Sequence, residues 1–269
     1  MQNTELIILG TGNATVTRCY NTCFALKQNN DFLLVDAGGG NGILTQLEKA
    51  NIPYSAIHEI FVTHAHTDHI LGIIWMIRII AQQMNKGKYQ GTLKIYGHDK
   101  VIKVLNTICE LILPSKITAH ISRDIQLCEV HHGETFTAIG LDFQCFDIGS
   151  TKEKQYGFRT VLPDGKSLVC LGDEPYNEAN RPFVADADWM LCEAFCLYED
   201  RETFKPYEKH HSTALDAGKL AQQLNIKNLL LYHTEDKTLA TRKEKYTAEA
   251  RENFSGNIFV PEDMEVITL

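Results

Sequence analysis

The chain has no CxxC pair, no apolar run long enough to cross a bilayer, no internal repeat, no low-complexity stretch and no Pro/Gly/Ser-rich linker. Each absence removes a class of protein. Eight cysteines without close pairing, spread over 269 residues, rule out a disulfide-stapled mini-protein and read as reduced thiols, several of them buried. The longest greasy stretch, Ile70 to Ala81, carries Arg78 and is too short for a membrane span. The opening residues MQNTELIILG lack the basic and long apolar regions of an export signal, so no membrane and a cytoplasmic location are expected. Basic residues are also scarce: 26 Lys plus Arg stand against 34 Asp plus Glu, a net charge of −8. That balance argues against generic adhesion to nucleic acid or anionic membrane, though a local basic groove is still allowed. What remains is ordinary globular composition, 44% hydrophobic and 22% charged, enough for a sizeable core and a single domain over residues 1–269.

The apolar pattern predicts strands at Leu6–Leu9, Thr22–Lys27, Phe32–Val35, Ile60–Val62, Thr92–Tyr96, Leu141–Phe146, Phe158–Leu162, Leu168–Leu171, Trp189–Glu193 and Asn228–Tyr232. Helices are expected near Ile43–Ala50, Ile70–Met84, Thr213–Leu224 and Leu239–Glu249. Pro163-Asp164-Gly165-Lys166 reads as a hairpin turn, because Pro presets φ and Gly accepts positive φ. Strands in both halves with helices between them fit an α/β (α+β) arrangement of packed sheets under helices. The segment Ile70–Met84 is apolar nearly all round, which suggests a sheet on one side and a second subunit, in a homodimer, on the other.

The decisive segment is Thr63-His64-Ala65-His66-Thr67-Asp68-His69, directly after the Ile60–Val62 strand. Extended backbone sends His64 and His66 to the same side, while Asp68 and His69 open the next helix and can face a second point nearby. Imidazole nitrogen and carboxylate oxygen suit zinc and its borderline neighbours. The bland alternative, a polar loop rich in histidine by chance, fits poorly with four ligand residues packed at one strand end.

This HxHxDH segment resembles the signature of the metallo-β-lactamase superfamily, and within it the chain is most similar to ribonuclease Z and related phosphodiesterases. Further pieces follow in the family's order: Leu9-Gly10-Thr11-Gly12 with Arg18, Asp36-Ala37-Gly38, Tyr156-Gly157-Phe158-Arg159, Gly172-Asp173, Glu193-Ala194-Phe195, His211-Ser212-Thr213 and Leu229-Leu230-Leu231-Tyr232-His233. The resemblance implies a four-layer αββα sandwich with a binuclear site at the sheet edges. Two divalent ions would be held, Zn²⁺ first and Mn²⁺ or Fe²⁺ as alternatives. One ion would take His64 and His66, the other Asp68 and His69, with Asp173 between them and His233 on the second. His211 would assist the departing oxygen, Glu193 would orient it, and Asp68 would help move a proton. Taken singly, Asp173 could be a turn residue, His233 a core histidine, and His211 a solvent-facing neighbour of His210 beside a Ser212 helix cap.

Two departures from the family pattern stand out. Asp147 stands where a histidine for the first ion is expected, so it is the candidate ligand there; His131 and His132 lie too early to replace it. An oxygen ligand would move preference toward Mn²⁺ or Fe²⁺. Second, only 26 positions separate Asp147 from Asp173, which leaves no room for the long arm with which ribonucleases Z grip tRNA. The expected partner is therefore a phosphodiester, a small molecule or RNA. Lys237, Arg242, Lys243 and Lys245 form the best basic cluster, readable either as a phosphate site or as a solvated helix face. The competing readings are a thioester, lactone or β-lactam hydrolase on the same fold, and a metal-binding module whose catalysis has decayed.

Overall fold

The computed structural model describes residues 4–269. In chain order the strands are β1 (Glu5–Gly10), β2 (Cys23–Gln28), β3 (Asp31–Val35), β4 (Ile57–Phe61), β5 (Leu93–Gly97), β6 (Ile125–Glu129), β7 (Thr135–Ala138), β8 (Leu141–Asp147), β9 (Tyr156–Val161), β10 (Ser167–Cys170), β11 (Trp189–Glu193), β12 (Asn228–Tyr232), β13 (Asn257–Phe259) and β14 (Val266–Thr268). The helices are α1 (Gly42–Lys49), α2 (Thr67–Asn85), α3 (Asp99–Ile112), α4 (Ser115–Thr118), α5 (Arg181–Val184), α6 (Arg201–Phe204), α7 (Ala214–Gln223) and α8 (Leu239–Arg251). The strands form two seven-stranded sheets, ordered β14-β1-β2-β3-β4-β5-β6 and β13-β12-β11-β10-β9-β8-β7. Each is parallel on one side (β3 to β6, and β10 to β13) and antiparallel on the other.

Period-2 alternation on the strands sorts the core into three layers. Leu6, Phe24, Leu33 and Phe61 from the first sheet meet Phe143, Phe158, Leu168 and Leu230 from the second. Ile7, Ala25, Leu34 and Ile60 face outward onto α1, α2 and α3. On the far side Phe146, Val169, Met190 and Leu229 pack against α5, α7 and α8. Each fully buried large apolar side chain contributes roughly 1.5–3 kcal/mol. The result is the αββα sandwich expected from the sequence.

Two expectations change. Ile70, Ile73, Ile74, Met76, Ile77 and Ile80 of α2 are all covered inside the chain, so this helix no longer argues for a second subunit. Trp75 is its one large hydrophobic left exposed, at 38%. The helix α3 was not expected, although Val101, Leu105 and Cys109 follow one face at helical spacing and are buried. The 26 positions from Asp147 to Asp173 are taken by a loop, β9, the Pro163–Lys166 turn and β10; no arm protrudes there. No helix among the described residues is long and apolar enough to cross a membrane. All eight cysteines are free thiols.

Candidate metal centre

Parallel strands end on one edge, and the residues just past those ends build the site. Asp36 follows β3, Thr63 and His64 follow β4, Asp173 follows β10, Glu193 ends β11 and His233 follows β12. Asp36 and His233 are non-glycine residues held at positive φ, +56° and +57°, a backbone conformation that the surrounding fold must impose. The first turn of α2, carrying Asp68 and His69, is pressed onto the Asp36–Gly38 turn. Gly72 makes this approach feasible: its N–H donates to Gly38 O at 2.9 Å, and a Cβ there would lie 1.8 Å from Ala37 O.

Four groups of close ligand atoms result among the described residues, and two of them share Asp173. Asp68, His69, Asp173 and His233, all buried, place one ligand atom each within 4.8 Å of one another. So do His64, His66 and Asp173, of which His66 is half-buried. Asp173 divides its oxygens: Oδ2 lies 3.3 Å from His69 Nε2 and 3.2 Å from His233 Nε2, and Oδ1 lies 3.6 Å from His64 Nε2. His64 Nε2 and His66 Nδ1 are 2.8 Å apart. Asp68 Oδ2 lies 3.3 Å from His69 Nε2 and 3.6 Å from His233 Nε2.

Asp36 sets the tautomers. Its Oδ2 accepts from His69 Nδ1 at 2.7 Å and from Thr63 Oγ1 at 2.7 Å, and Oδ1 accepts from Thr63 N at 2.8 Å. A carboxylate only accepts, so the His69 proton sits on Nδ1 and the Nε2 lone pair is free for a metal. The single Thr63 hydroxyl proton goes to Asp36, so Thr63 Oγ1 accepts from His64 Nδ1 at 2.9 Å, and His64 Nε2 is freed likewise. The sequence quoted Asp36 only as part of a motif; its orienting role needed the fold.

The fit to metal ions is carried by orphaned atoms. His69 Nε2, His233 Nε2 and Asp173 Oδ1 are buried without any hydrogen-bond partner, which buried polar groups rarely tolerate unless something else satisfies them. Electrostatics agree at three of the ligands, whereas at His69 burial lowers the imidazole and Asp68 and Asp36 outweigh it and hold it well up. Burial pushes the Asp173 carboxyl up, but His64, His233 and His69 outweigh it and hold it well below the usual carboxylate range. Burial works the same way at Asp68 and is overcome by His69 and His233. Burial also drives His64 far down, which leaves it the neutral imidazole that metals bind. Two nitrogens with one or two carboxylates suit zinc or manganese.

Beside the ligands, Glu193 and His211 form a pair, with Glu193 Oε2 3.7 Å from His211 Nδ1 and both atoms otherwise unpartnered. Glu193 Oε1 accepts from Ser212 N at 2.6 Å. His211 stacks on Phe195 at 4.8 Å, and its ring centroid lies 5.0 Å from that of His233. Burial, with the neighbouring His233, pushes His211 down to about 3, while burial raises Glu193 well above its ordinary value. The residue capping α7 is Thr213, in a capping box with Asp216, and not Ser212.

Asp147 is not brought into either group. Its Oδ1 accepts from Gly149 N at 2.8 Å, closing a turn at the end of β8. Its own N–H is held by His132 Nδ1 at 3.0 Å, so His132 is also committed elsewhere. The adjacent Ile148 is buried in the apolar layer with Phe146, Val169 and Leu171, and its Cδ1 lies 3.9 Å from where a Cβ on Gly172 would stand. Asp147 is thus engaged at its own turn and lies outside both groups, and with it goes the argument from Asp147 for Mn²⁺ or Fe²⁺. The basic cluster is structural. Arg242 is buried and donates to Thr11 Oγ1, Thr234 Oγ1 and Pro261 O, and Lys237, Lys243 and Lys245 pair with Asp236, Glu265 and Glu199.

Comparison with known proteins places the chain. Residues 4–253 match the family described as anti-Pycsar protein Apyc1. The chain belongs to that family. Ribonuclease Z of Thermococcus onnurineus (strain NA1) is 27% identical to it, covering 98% of this chain and 94% of the relative. Among solved structures, the metallo-β-lactamase fold protein YhfI of Bacillus subtilis superposes with a TM-score of 0.79 at 20% identity, covering 99% of each chain. The short form of human tRNase Z gives 0.74 at 20% identity, covering 98% of each. The fold of this family member is therefore the metallo-β-lactamase fold, as the HxHxDH segment implied.

Proposed function

We propose that the protein is a metal-dependent phosphodiesterase acting on a small phosphodiester, with two divalent ions shared through Asp173. The observation that carries this reading is the division of Asp173, whose Oδ2 serves His69 and His233 while Oδ1 faces His64. A carboxylate with one oxygen toward each group suits a binuclear site. His64, His66 and Asp173 would hold one, Zn²⁺ first by donor type, and Asp68, His69, Asp173 and His233 the other. When bound, such ions supply Lewis acidity toward the phosphoryl oxygens and acidify water toward neutral pH.

The chain's own groups supply the rest. Asp36 keeps His69 and, through Thr63, His64 in the ligand tautomer. His211 presents an N–H to the departing oxygen, and Glu193 behind it, with Oε2 3.7 Å from His211 Nδ1, orients the imidazole. Asp68 can take a proton from the attacking water as well as bind a metal. The relatives named ribonuclease Z support phosphodiester chemistry; the missing arm and the net charge of −8 favour a small substrate over tRNA.

The test is metal content together with turnover of three substrates by the purified protein in Zn²⁺ and in Mn²⁺. The expected result is two equivalents of metal per chain and hydrolysis of bis(p-nitrophenyl) phosphate, with neither a thioester nor unprocessed tRNA cleaved at a comparable rate. A fully loaded protein that leaves the diester intact overturns the reading. Efficient tRNA cleavage would replace the small substrate with RNA, and a preference for the thioester would move the protein to another hydrolase class.

A further inference from the structure

Asp173 sits just past β10, which stops at Cys170, so the peptide joining Gly172 to Asp173 lies outside the strand ladder. Its two polar groups are held by side chains instead. Tyr232 Oη donates to Gly172 O at 2.6 Å, and the Asp173 N–H donates to Gln155 Oε1 at 3.3 Å. Both side chains are buried, that of Gln155 completely. A peptide is planar, so pinning its C=O and its N–H fixes the plane, and with it the direction in which the Asp173 side chain leaves. The two clamps have different anchors. Tyr232 directly precedes His233, a member of the group with Asp68 and His69. Gln155 precedes Tyr156, whose N–H donates to Thr63 O at 2.9 Å, beside His64. Gly172 admits the glutamine: it has φ +75°, and a Cβ on it would lie 2.8 Å from Gln155 Oε1. The reverse amide orientation would set N–H against N–H, so the oxygen is the acceptor. Gln155 Nε2 is then left buried without a partner, a cost borne where placement of a functional group outranks stability.

We propose that Gln155 and Tyr232 are positioning residues for the shared carboxylate, and that each serves a different ion. Without the Gln155 clamp the peptide can pivot about the Tyr232 contact, which keeps Asp173 Oδ2 with His233 and lets Oδ1 swing away from His64. Without the Tyr232 hydroxyl the pivot lies at Gln155, and Oδ2 is the oxygen that loses its place. Gln155 therefore sets the affinity for an ion at His64 and His66, and Tyr232 the affinity for an ion at Asp68, His69 and His233. This rests on the two-ion reading above and adds to it the residues that hold its common ligand.

Metal release measures this division without turnover. The zinc-loaded, full-length chain is titrated with a chromophoric chelator, and two release steps are expected of the wild type. His66→Ala should remove one of them, which identifies the step belonging to His64 and His66. Gln155→Met and Gln155→Leu should weaken that same step by about 10–100-fold, the range for a lost orienting partner, and the other by less than about threefold. Tyr232→Phe should do the reverse. The melting temperature at saturating Zn²⁺ should stay within a few degrees of the wild type in all three, since none of these changes opens a sizeable cavity. Equal weakening of both steps by the Gln155 variants, or no weakening, overturns the inference. So does weakening of the His66-dependent step by Tyr232→Phe. Gln155 variants that melt early or fail to fold at saturating Zn²⁺ would make Gln155 a structural support, which overturns it as well. A wild type that holds a single equivalent of metal overturns the two-ion reading and the inference with it, whereas two equivalents with no selective effect overturn the inference alone.

Discussion

The two ligand groups that share Asp173 are built to different standards. Asp68, His69, Asp173 and His233 make a closed set: four protein ligands, all buried, with Asp36 behind His69. His64, His66 and Asp173 make an open one, with three ligands and a half-buried His66. A closed tetrahedral set retains an ion, whereas a set of three leaves coordination positions for water and substrate. On the binuclear reading proposed above, retention would fall to one side and exchange with substrate to the other.

Removing what the two sides share should have the largest effect. Asp173→Ala takes a ligand from both groups and leaves four histidines and Asp68 without the carboxylate the groups share. Bound metal should fall below one equivalent, and diester turnover should drop by at least about 10³, since both metal roles go with the ions. Metal analysis with a turnover assay reads both. Two retained ions in this variant would end the shared-carboxylate arrangement and the comparison with it.

His211→Ala should come next, and it should leave both groups filled. The expected loss is about 10²–10⁴ in turnover, the range for a displaced proton donor. A diester with p-nitrophenolate as leaving group needs little protonation, so it should suffer less than one with an alkoxide. Equal losses on the two substrates would take His211 away from the leaving oxygen.

How much of this was legible depended on whether a residue's role is local. His64, His66, Asp68 and His69 lie on one strand-turn-helix connection, and their spacing alone pointed to one edge. Glu193 and His233 could be placed at strand ends because the bounds of β11 and β12 match the expected ones residue for residue, but their roles came from the family resemblance alone. Asp36 was only a motif fragment, because its partners Thr63 and His69 come from across the β3–β4 pairing and from α2. Asp147 failed for a different reason. Past the end of β8 the chain turns at Gly149, which has φ +73°, and strand alternation no longer says which side chain faces the site. The helix α3 was hidden by the lysines, asparagine and threonine between its buried positions.

Asp36→Asn sharpens the comparison on its closed side. Asparagine tolerates the positive φ found there, so the fold should persist. Its amide can present a donor to His69 Nδ1, which favours the tautomer carrying a proton on Nε2 and masks the ligand lone pair. Metal affinity of the closed group should weaken by about 10–100-fold, as is usual when such an orienting partner is lost. Competition with a chelator of known affinity measures it. An unchanged affinity would show that packing alone holds His69 in register.

Asp147→Ala should have the smallest effect, and it asks whether the open group is truly open. The variant loses the hydrogen bond from Gly149 N, which contributes about 1 kcal/mol and should lower Tm by roughly 2–4 °C. Metal content and diester turnover should stay within about twofold of the wild type, because the carboxylate is engaged at the turn and Ile148 occupies the place beside Gly172. Loss of one metal equivalent in this variant would mean that Asp147 swings in once an ion is present. The open group would then have a fourth protein ligand of hard oxygen character, preference would move toward Mn²⁺, and the contrast between a retaining side and an exchanging side would have to be sought in His66 alone.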